Sequence, residues 1–202
     1  MERRLMRCID LGLASLLLVA LSPVILGAIV AIRSTSHGPV IFRHDRVGRD
    51  GRSFSVFKFR TMVDGANGQI LDDPSLRSTY QNNGYKVPPG DERITRVGRA
   101  LRRTSIDEIP QLWNVMRHEM SLVGVRPLVR EEFEQRADGD QRLYRMHLPG
   151  LTGLWQVSGR SAVSESDRVV LDRHYLETWS VRENLRLLVK TPKAVLAGVG
   201  AH

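Results

Sequence analysis

Two adjacent carboxylates, Asp107 and Glu108, stand in the stretch RTSIDEIPQLWN, just after an arginine-rich segment. An ionised and aligned carboxylate is a competent nucleophile towards phosphorus. Magnesium is typically held by one or two carboxylates together with phosphate oxygens and water. Arg102 and Arg103 lie shortly before the pair and add positive potential. These residue types are compatible with a site for a phosphate-bearing substrate, in which an ionised carboxylate attacks phosphorus or helps to hold Mg²⁺.

The same residues also match the start of a helix. Ser105 to Glu108 fit the S-x-x-E capping box, and apolar residues recur at helical spacing over 109–120, which places Trp113 in the core. Acidic residues at a helix N-terminus are stabilised by the helix dipole, which would keep Asp107 ionised. Phosphate oxygens are favoured at the same helix end, so the capping and catalytic interpretations are compatible.

Composition narrows the class of partner. The chain has 202 residues and a formal net charge of +8, which suits one globular domain and an anionic partner. Its one cysteine, Cys8, cannot form a disulfide within the chain. Helix-turn-helix, zinc-finger and RNA-binding signatures are missing from the sequence, and aromatic residues make up 6%. We therefore expect no nucleic-acid partner, although a membrane-tethered basic binding module stays an alternative to an enzyme.

The N-terminal part is apolar from Ile9 to Ile32 apart from Asp10 and small residues. A helix of this length is long enough to cross the roughly 30 Å core of a bilayer. Ser22-Pro23 near its middle predicts a bend, because proline removes a helical hydrogen bond and the serine hydroxyl can satisfy a freed carbonyl. Arginines flank both ends, which favours a re-entrant helix with both ends on the cytoplasmic face. A kinked single-pass helix stays open.

The remainder predicts an α+β domain, mostly helical, with one β-hairpin. Val40 to Phe42 and Phe54 to Phe59 resemble strands around an Asp50-Gly51 turn. Residues 63–92 are polar and predict a long loop with one short helical piece at 70–76. Helices are expected over 94–101 and 130–147, and one or two helices over 165–190, which Pro192 interrupts. The predicted division is a membrane part, 1–34, and a catalytic domain, 35–202.

Five ordered blocks resemble a known family. The chain is similar to the monotopic phosphoglycosyl transferases, or bacterial sugar transferases, which initiate the assembly of bacterial exopolysaccharide, capsule, O-antigen and glycoprotein glycans. The resemblance covers almost the whole chain. It is carried by Ser22-Pro23, GPVIFRHDRVGRDGRSFSVFKFRTM, ITRVGRALRRTSIDEIPQLWNVMRHEMSLVGVRPL, PGLTGLWQVSGR and LDRHYLETWSVRENLRLL.

The resemblance implies transfer of a sugar 1-phosphate from a nucleotide sugar, UDP-linked in the family, to polyprenyl (undecaprenyl) phosphate. Asp107 would form a covalent phosphosugar intermediate with Glu108 as its partner, and Mg²⁺ would be the cofactor. The enzyme would sit in membrane lipid at the cytoplasmic face of the bacterial inner membrane, and a homodimer is left open. The basic motif positions that would surround the substrate are Lys58, Arg102, Arg126 and Arg160.

Four positions depart from the family pattern. Val125 stands where the family commonly has proline, His44 where glutamine is frequent, His118 where glycine is common and Asn184 where aspartate is usual. None belongs to the carboxylate pair, so the predicted activity stands. A phosphohydrolase acting on the same donor is a second alternative, and the sugar itself is not predicted by any motif.

Overall fold

A computed structural model describes residues 1–159 and 164–196. It confirms a mostly helical α+β fold. The strands are β1 (Ile41–Val47), β2 (Ser53–Phe59), β3 (Ser121–Val123) and β4 (Gly150–Thr152). The helices are α1 (Glu2–Ala20), α2 (Ser22–Thr35), α3 (Ala66–Asp72), α4 (Pro74–Asn82), α5 (Arg96–Arg103), α6 (Gln111–Met116), α7 (Arg130–Glu134), α8 (Asp138–Arg145), α9 (Leu154–Val157), α10 (Glu165–Glu177) and α11 (Val181–Leu196).

The N-terminal helix is broken at Ser22-Pro23, as predicted. The helix axis bends by 59° between α1 and α2. Pro23 lies in the first turn of α2, where its missing N–H costs no hydrogen bond, and the Ser22 hydroxyl donates to the Val19 carbonyl at 2.8 Å. In the described chain no one helix has the length and apolarity to cross a bilayer. The bent pair taken together does, on length and composition.

The predicted hairpin is confirmed. β1 and β2 pair antiparallel from Ile41↔Phe59 to Val47↔Ser53. A single 3-10 turn, Arg49–Gly51, joins them, and Asp50 and Gly51 both adopt positive φ. The predicted Asp50-Gly51 turn supplies this geometry, because aspartate and glycine tolerate the left-handed region better than other residues. β3 pairs with β4 in a separate parallel sheet.

Three element predictions were wrong in detail. The 63–92 segment carries two helices, α3 and α4, instead of one short helical piece. The second begins because Asp73 accepts hydrogen bonds from Ser75 N and Leu76 N, with Pro74 in its first turn. Pro192 lies inside α11 and does not end it.

The helix expected over 109–120 is also shorter than predicted, since α6 spans only Gln111–Met116. Its inward face consists of Gln111, Leu112, Asn114 and Val115. Trp113 points away from this face and is 54% exposed, so its prediction as a core residue was wrong.

Both arms of the bent helix pair join the hydrophobic core. Ala14 of α1 belongs to the main cluster of buried residues, which also contains Leu112 and Val115 of α6. Ala28 and Ile32 of α2 form a second cluster with Phe59 and Leu101. The helix pair is therefore packed against the elements that carry the candidate site residues, while a boundary at residue 34 stays a prediction.

Candidate active site

The two carboxylates lie in a single 3-10 turn, Ile106–Glu108, between α5 and α6. Ser105, just before it, has a φ of 56° and makes no side-chain capping bond. The turn is closed instead by backbone bonds, with Glu108 N donating to Ser105 O at 3.2 Å. The predicted capping box is therefore wrong. A non-glycine residue in the left-handed region is strained, and such strain concentrates at functional sites.

Asp107 is the more buried of the pair, with 8% of its surface exposed. Burial raises its pKa to about 6; the nearby Glu108 carboxylate raises it too, while Lys58 and Arg102 lower it. The carboxylate does not lie at the first residue of the helix, because α6 begins only at Gln111, and burial has the largest effect on its pKa. The result is a carboxylate that titrates close to neutral pH, a property common at catalytic sites.

Lys58 joins the pair directly. It comes from β2, and its Nζ lies 2.7 Å from Glu108 Oε1. The two side chains are 31% and 38% exposed, so this ion pair is at the surface. Exposed pairs contribute little to folding stability, so we expect this contact to add little to the stability of the fold.

Arg102 is positioned by a close contact between α5 and the chain after β2. Gly98 of α5 lies against the Thr61 carbonyl, and a Cβ at residue 98 would overlap that oxygen. This approach lets Arg102 Nε donate to Thr61 Oγ1 at 2.9 Å. Burial lowers the pKa of the Arg102 guanidinium, and the Asp107 carboxylate opposes that shift. Arg102 therefore contributes positive charge close to the Asp107 carboxylate.

Arg126 lies in the loop after β3, and its guanidinium binds Glu132 and the backbone of Tyr85. Its Nη1 donates to Glu132 Oε2 at 3.3 Å and its Nη2 to the Tyr85 carbonyl at 3.4 Å. Glu132 also forms an ion pair with Arg136, and Arg136 forms a second ion pair with Asp172 at 3.5 Å. The structure thus brings Asp107, Glu108, Lys58 and Arg102 together, and it holds Arg126 by Glu132 and Tyr85. Arg160 lies outside the described residues.

Comparison with known proteins decides the family. The profile described as Bacterial sugar transferase matches residues 1–198. The chain belongs to the bacterial sugar transferase family.

Individual relatives agree with this assignment. A UDP-galactose-lipid carrier transferase of Erwinia amylovora is 44% identical over 100% of this chain and 42% of that protein. An undecaprenyl-phosphate galactose phosphotransferase of Salmonella typhimurium is 41% identical over 100% of this chain and 42% of that protein. The exopolysaccharide production protein ExoY of Sinorhizobium fredii is 38% identical over 97% of this chain and 87% of that protein. The chain thus spans less than half of two of these curated relatives.

One cation near the site of this bacterial sugar transferase was missed by sequence reasoning. Lys86 follows α4 in the segment read as a loop, and its Nζ lies 4.8 Å from the centre of the Trp155 ring. Burial lowers its pKa to about 7, with Arg126 and Arg168 adding to the effect and Glu108 opposing it. Lys86 therefore lies within electrostatic reach of both Glu108 and Arg126. No periodic pattern in the 63–92 segment marked it.

The residues present fit a magnesium ion of the kind the family implies. Among residues 1–159 and 164–196 no group of three or more His, Cys, Asp or Glu side chains could form an all-protein metal cage. Two neighbouring carboxylates, whose mutual repulsion raises the pKa of Asp107, instead match magnesium bound by one or two carboxylates plus substrate phosphates. Asp107 and Glu108 are therefore the residues that would hold it.

The departures from the family pattern leave the carboxylate pair untouched. Val125 is buried, and its carbonyl accepts a hydrogen bond from Gly150 N at 2.8 Å. Asn184 is fully buried and accepts a hydrogen bond from the Tyr175 hydroxyl at 2.8 Å. Burial lowers the pKa of His44 to about 3, with Arg46, Lys58 and Arg126 adding to the effect. A neutral imidazole there resembles the polar, uncharged glutamine of the family.

Proposed function

We propose that this bacterial sugar transferase transfers a sugar 1-phosphate from a UDP-sugar to undecaprenyl phosphate, the first membrane step in assembling a polysaccharide or glycoconjugate. The observation that carries the proposal is the buried Asp107 carboxylate beside Glu108, Lys58 and Arg102. A nucleophile, a metal-binding partner and fixed cations at one place are the groups that phosphoryl transfer needs.

The reaction proceeds in two displacements at one phosphorus atom. First, an Asp107 carboxylate oxygen attacks the phosphorus that bears the sugar; its bond to the bridging oxygen breaks, and UMP leaves with that electron pair. Second, a phosphate oxygen of the lipid attacks the same phosphorus. The bond to Asp107 breaks, which restores the carboxylate and yields undecaprenyl diphosphosugar.

The cations around Asp107 serve the first displacement. An anion attacking a diphosphate must overcome like-charge repulsion. Lys58 and Arg102 already lower the pKa of Asp107, so they stabilise its ionised form and offset the negative charge of the donor. When bound by Asp107 and Glu108, Mg²⁺ supplies further neutralisation of the diphosphate oxygens.

The outward surface of the bent helix pair supports a site at the lipid surface. Large apolar side chains of α1 and α2 face outward, among them Leu16, Val19, Leu26 and Val30, each at least 63% exposed. In water such a surface would be unfavourable, whereas lipid accommodates it. With the 59° bend, this supports a re-entrant pair whose two ends lie on the cytoplasmic face of the inner membrane.

Substitution of the nucleophile tests the proposal. Full-length protein in nanodiscs is supplied with a panel of UDP-sugars, with and without undecaprenyl phosphate, and UMP release and lipid-linked sugar are measured. Wild type is expected to form both products and a phosphosugar adduct on Asp107, detected by mass spectrometry. Asp107→Asn is expected to abolish them. Full turnover by Asp107→Asn refutes the nucleophile, and free sugar phosphate as the only product would identify a phosphohydrolase.

A stability measurement shows that the inactive variant is folded. The folded-state pKa of Asp107 is raised from 3.8 to about 6, so keeping it ionised above pH 6 costs folding free energy. Asp107→Asn is therefore expected to unfold at a temperature no lower than wild type at pH 7.5. The wild type regains stability as the pH falls from about 6 towards 3.8, so any advantage of the variant should shrink over that range.

A further inference from the structure

Two polar side chains of α1 face the rest of the protein instead of lipid. Asp10 interrupts the apolar run and is 2% exposed, and it shares the inward stripe of α1 with Met6 and Ala14. Arg7 lies one helical turn before Asp10 on the same side of α1 and is half-buried. Ionisable residues in membrane helices are costly and are retained when they make specific contacts. The two displacements proposed above use neither residue.

Arg7 contacts the end of the short helix that starts beside the carboxylate pair. Its Nη1 donates to the Val115 carbonyl at 2.5 Å and its Nη2 to the Met116 carbonyl at 2.9 Å. These are carbonyls of the last turn of α6, where a cation complements the helix dipole; the Val115 carbonyl also accepts a hydrogen bond from His118 N at 3.0 Å. Six residues of helix span about 9 Å. The guanidinium of the membrane helix therefore lies one short helix away from the turn that holds Asp107.

Asp10 contacts the strand that leads to Arg126. Its Oδ1 accepts a hydrogen bond from Leu122 N at 3.0 Å. Ser121 and Val123 are the residues of β3 in register with β4, so the Leu122 amide points to the other side of the strand, towards α1. The carboxylate thus satisfies a buried backbone donor, which would be costly to leave unpaired. Through it, α1 holds the segment from which the Arg126 loop departs.

We infer that Arg7 and Asp10 are positioning residues, which fix α6 and β3 against the membrane helix and thereby set the carboxylate pair and the Arg126 loop at the height of the lipid phosphate. Together they bind three backbone groups on two segments: α6, which begins just after the carboxylate pair, and β3, which leads into the Arg126 loop. Catalytic geometry thereby depends on the membrane helix, and an error of about 1 Å at such a site costs on the order of 100-fold in rate. The consequence for activity rests on the proposed function, whereas the restraint on the two segments does not.

Amide hydrogen exchange of the full-length protein in nanodiscs tests the restraint without any substrate. In Arg7→Met, amides of 105–118 are expected to exchange roughly 10-fold faster, and in Asp10→Leu those of 119–126, because charged hydrogen bonds that hold these segments are lost. Arg4→Met is the matched control, since Arg4 lies on the same helix, carries the same charge and is exposed. It is expected to leave exchange unchanged. Unaltered exchange in Arg7→Met and Asp10→Leu would overturn the inference.

Kinetics separate positioning from mere stabilisation. Per folded and membrane-bound molecule, Arg7→Met and Asp10→Leu are expected to lower kcat by roughly 10-fold or more, with KM for the UDP-sugar changed by less than about 3-fold. Asp10→Asn retains an acceptor oxygen for Leu122 N and is expected to recover most of the kcat lost in Asp10→Leu. Variants that unfold more easily but keep wild-type kcat would contradict positioning. A wild type with no transfer activity would count against the proposed function alone, and the exchange result would still stand.

Discussion

At the scale of single residues, the proposed chemistry depends on a carboxylate whose pKa lies close to neutral pH. Burial raises the pKa of Asp107 to about 6, and the opposing charges of Lys58 and Arg102 hold it from rising further. A less solvated carboxylate is a stronger nucleophile, but only its ionised form attacks phosphorus. Lys58 thus favours the reactive form of Asp107 and forms an ion pair with Glu108.

Removal of Lys58 should therefore change the pH dependence. Because Lys58 lowers the pKa of Asp107, Lys58→Met is expected to move the acid limb of kcat/KM to higher pH. At pH 7 the variant should lose roughly 100-fold in kcat/KM, since a cation that stabilises the transition state is also lost. A pH–rate series against Lys190→Met, an exposed lysine of α11, gives the comparison. An acid limb at the wild-type pH in Lys58→Met would show that Lys58 does not control Asp107.

His118 shows how a departure from the family pattern acts through the backbone. It has a φ of 62° and follows Arg117, the C-cap of α6, at the position where helices commonly end in left-handed glycine. A side chain there costs about 1–2 kcal/mol in conformational energy. Glycine avoids this cost, but part of the gain is offset because glycine loses more conformational entropy on folding.

Substitution of His118 is expected to act on stability alone. His118→Gly should stabilise the protein by up to about 1 kcal/mol, and His118→Val should destabilise it, because β-branched residues avoid the left-handed region. Thermal unfolding midpoints of both variants and wild type in the same detergent provide the measurement. A glycine variant that unfolds below the valine variant would contradict the backbone explanation.

At the scale of elements, the site depends on how closely α5 approaches the chain after β2. Gly98 provides the space for this approach, since its Cα faces the Thr61 carbonyl. Thr61 then binds Arg102 through its hydroxyl. Glycine is needed here for close packing and not for a turn.

Gly98→Ala should consequently push α5 away from Thr61. Overpacking of this kind lowers the free energy of unfolding by about 1–3 kcal/mol. Because Arg102 would be displaced with α5, kcat should also fall by roughly 10-fold or more. Gly139→Ala in α8 is the control, because a Cβ at residue 139 meets nothing within 4 Å. Replacing a glycine within a helix by alanine should leave that variant active and stabilise the folded protein by roughly 0.5–1 kcal/mol. Equal stability and activity in Gly98→Ala and Gly139→Ala would exclude the close-approach explanation.

Local sequence signals predicted the elements well where one residue type determines the geometry. Ser22-Pro23 gave the helix break and Asp50-Gly51 the hairpin turn, because proline and left-handed residues act within a few positions. Asp107, Glu108, Lys58 and Arg102 were named from motifs and lie together. Lys86 and the true length of α6 were not predictable, since both depend on which distant segments pack against them.

At the scale of the whole molecule, the bent helix pair packs against the elements that carry the candidate site. α1 packs on α6 and binds it through Arg7, and α2 packs on Phe59 and Leu101, which are chain neighbours of Lys58 and Arg102. The two arms therefore approach the site from two sides. A straight helix through the same sequence could not make both sets of contacts, so we expect the bend to set the orientation of the whole chain in the bilayer.

Topology is thus the decisive property at this scale. In a Cys8→Ser background, Glu2→Cys near the start of α1 and Ser34→Cys near the end of α2 are both exposed. A membrane-impermeant maleimide is expected to modify both single-cysteine proteins in inverted vesicles and neither in right-side-out vesicles. Combined Ser22→Ala and Pro23→Ala substitutions restore a helical hydrogen bond and remove the serine contact to Val19. The fraction of molecules whose two helix ends lie on opposite sides of the membrane should therefore rise. Modification of residues 2 and 34 from opposite faces in the parent protein would establish a kinked single-pass helix, and the two arms would then no longer reach the same site.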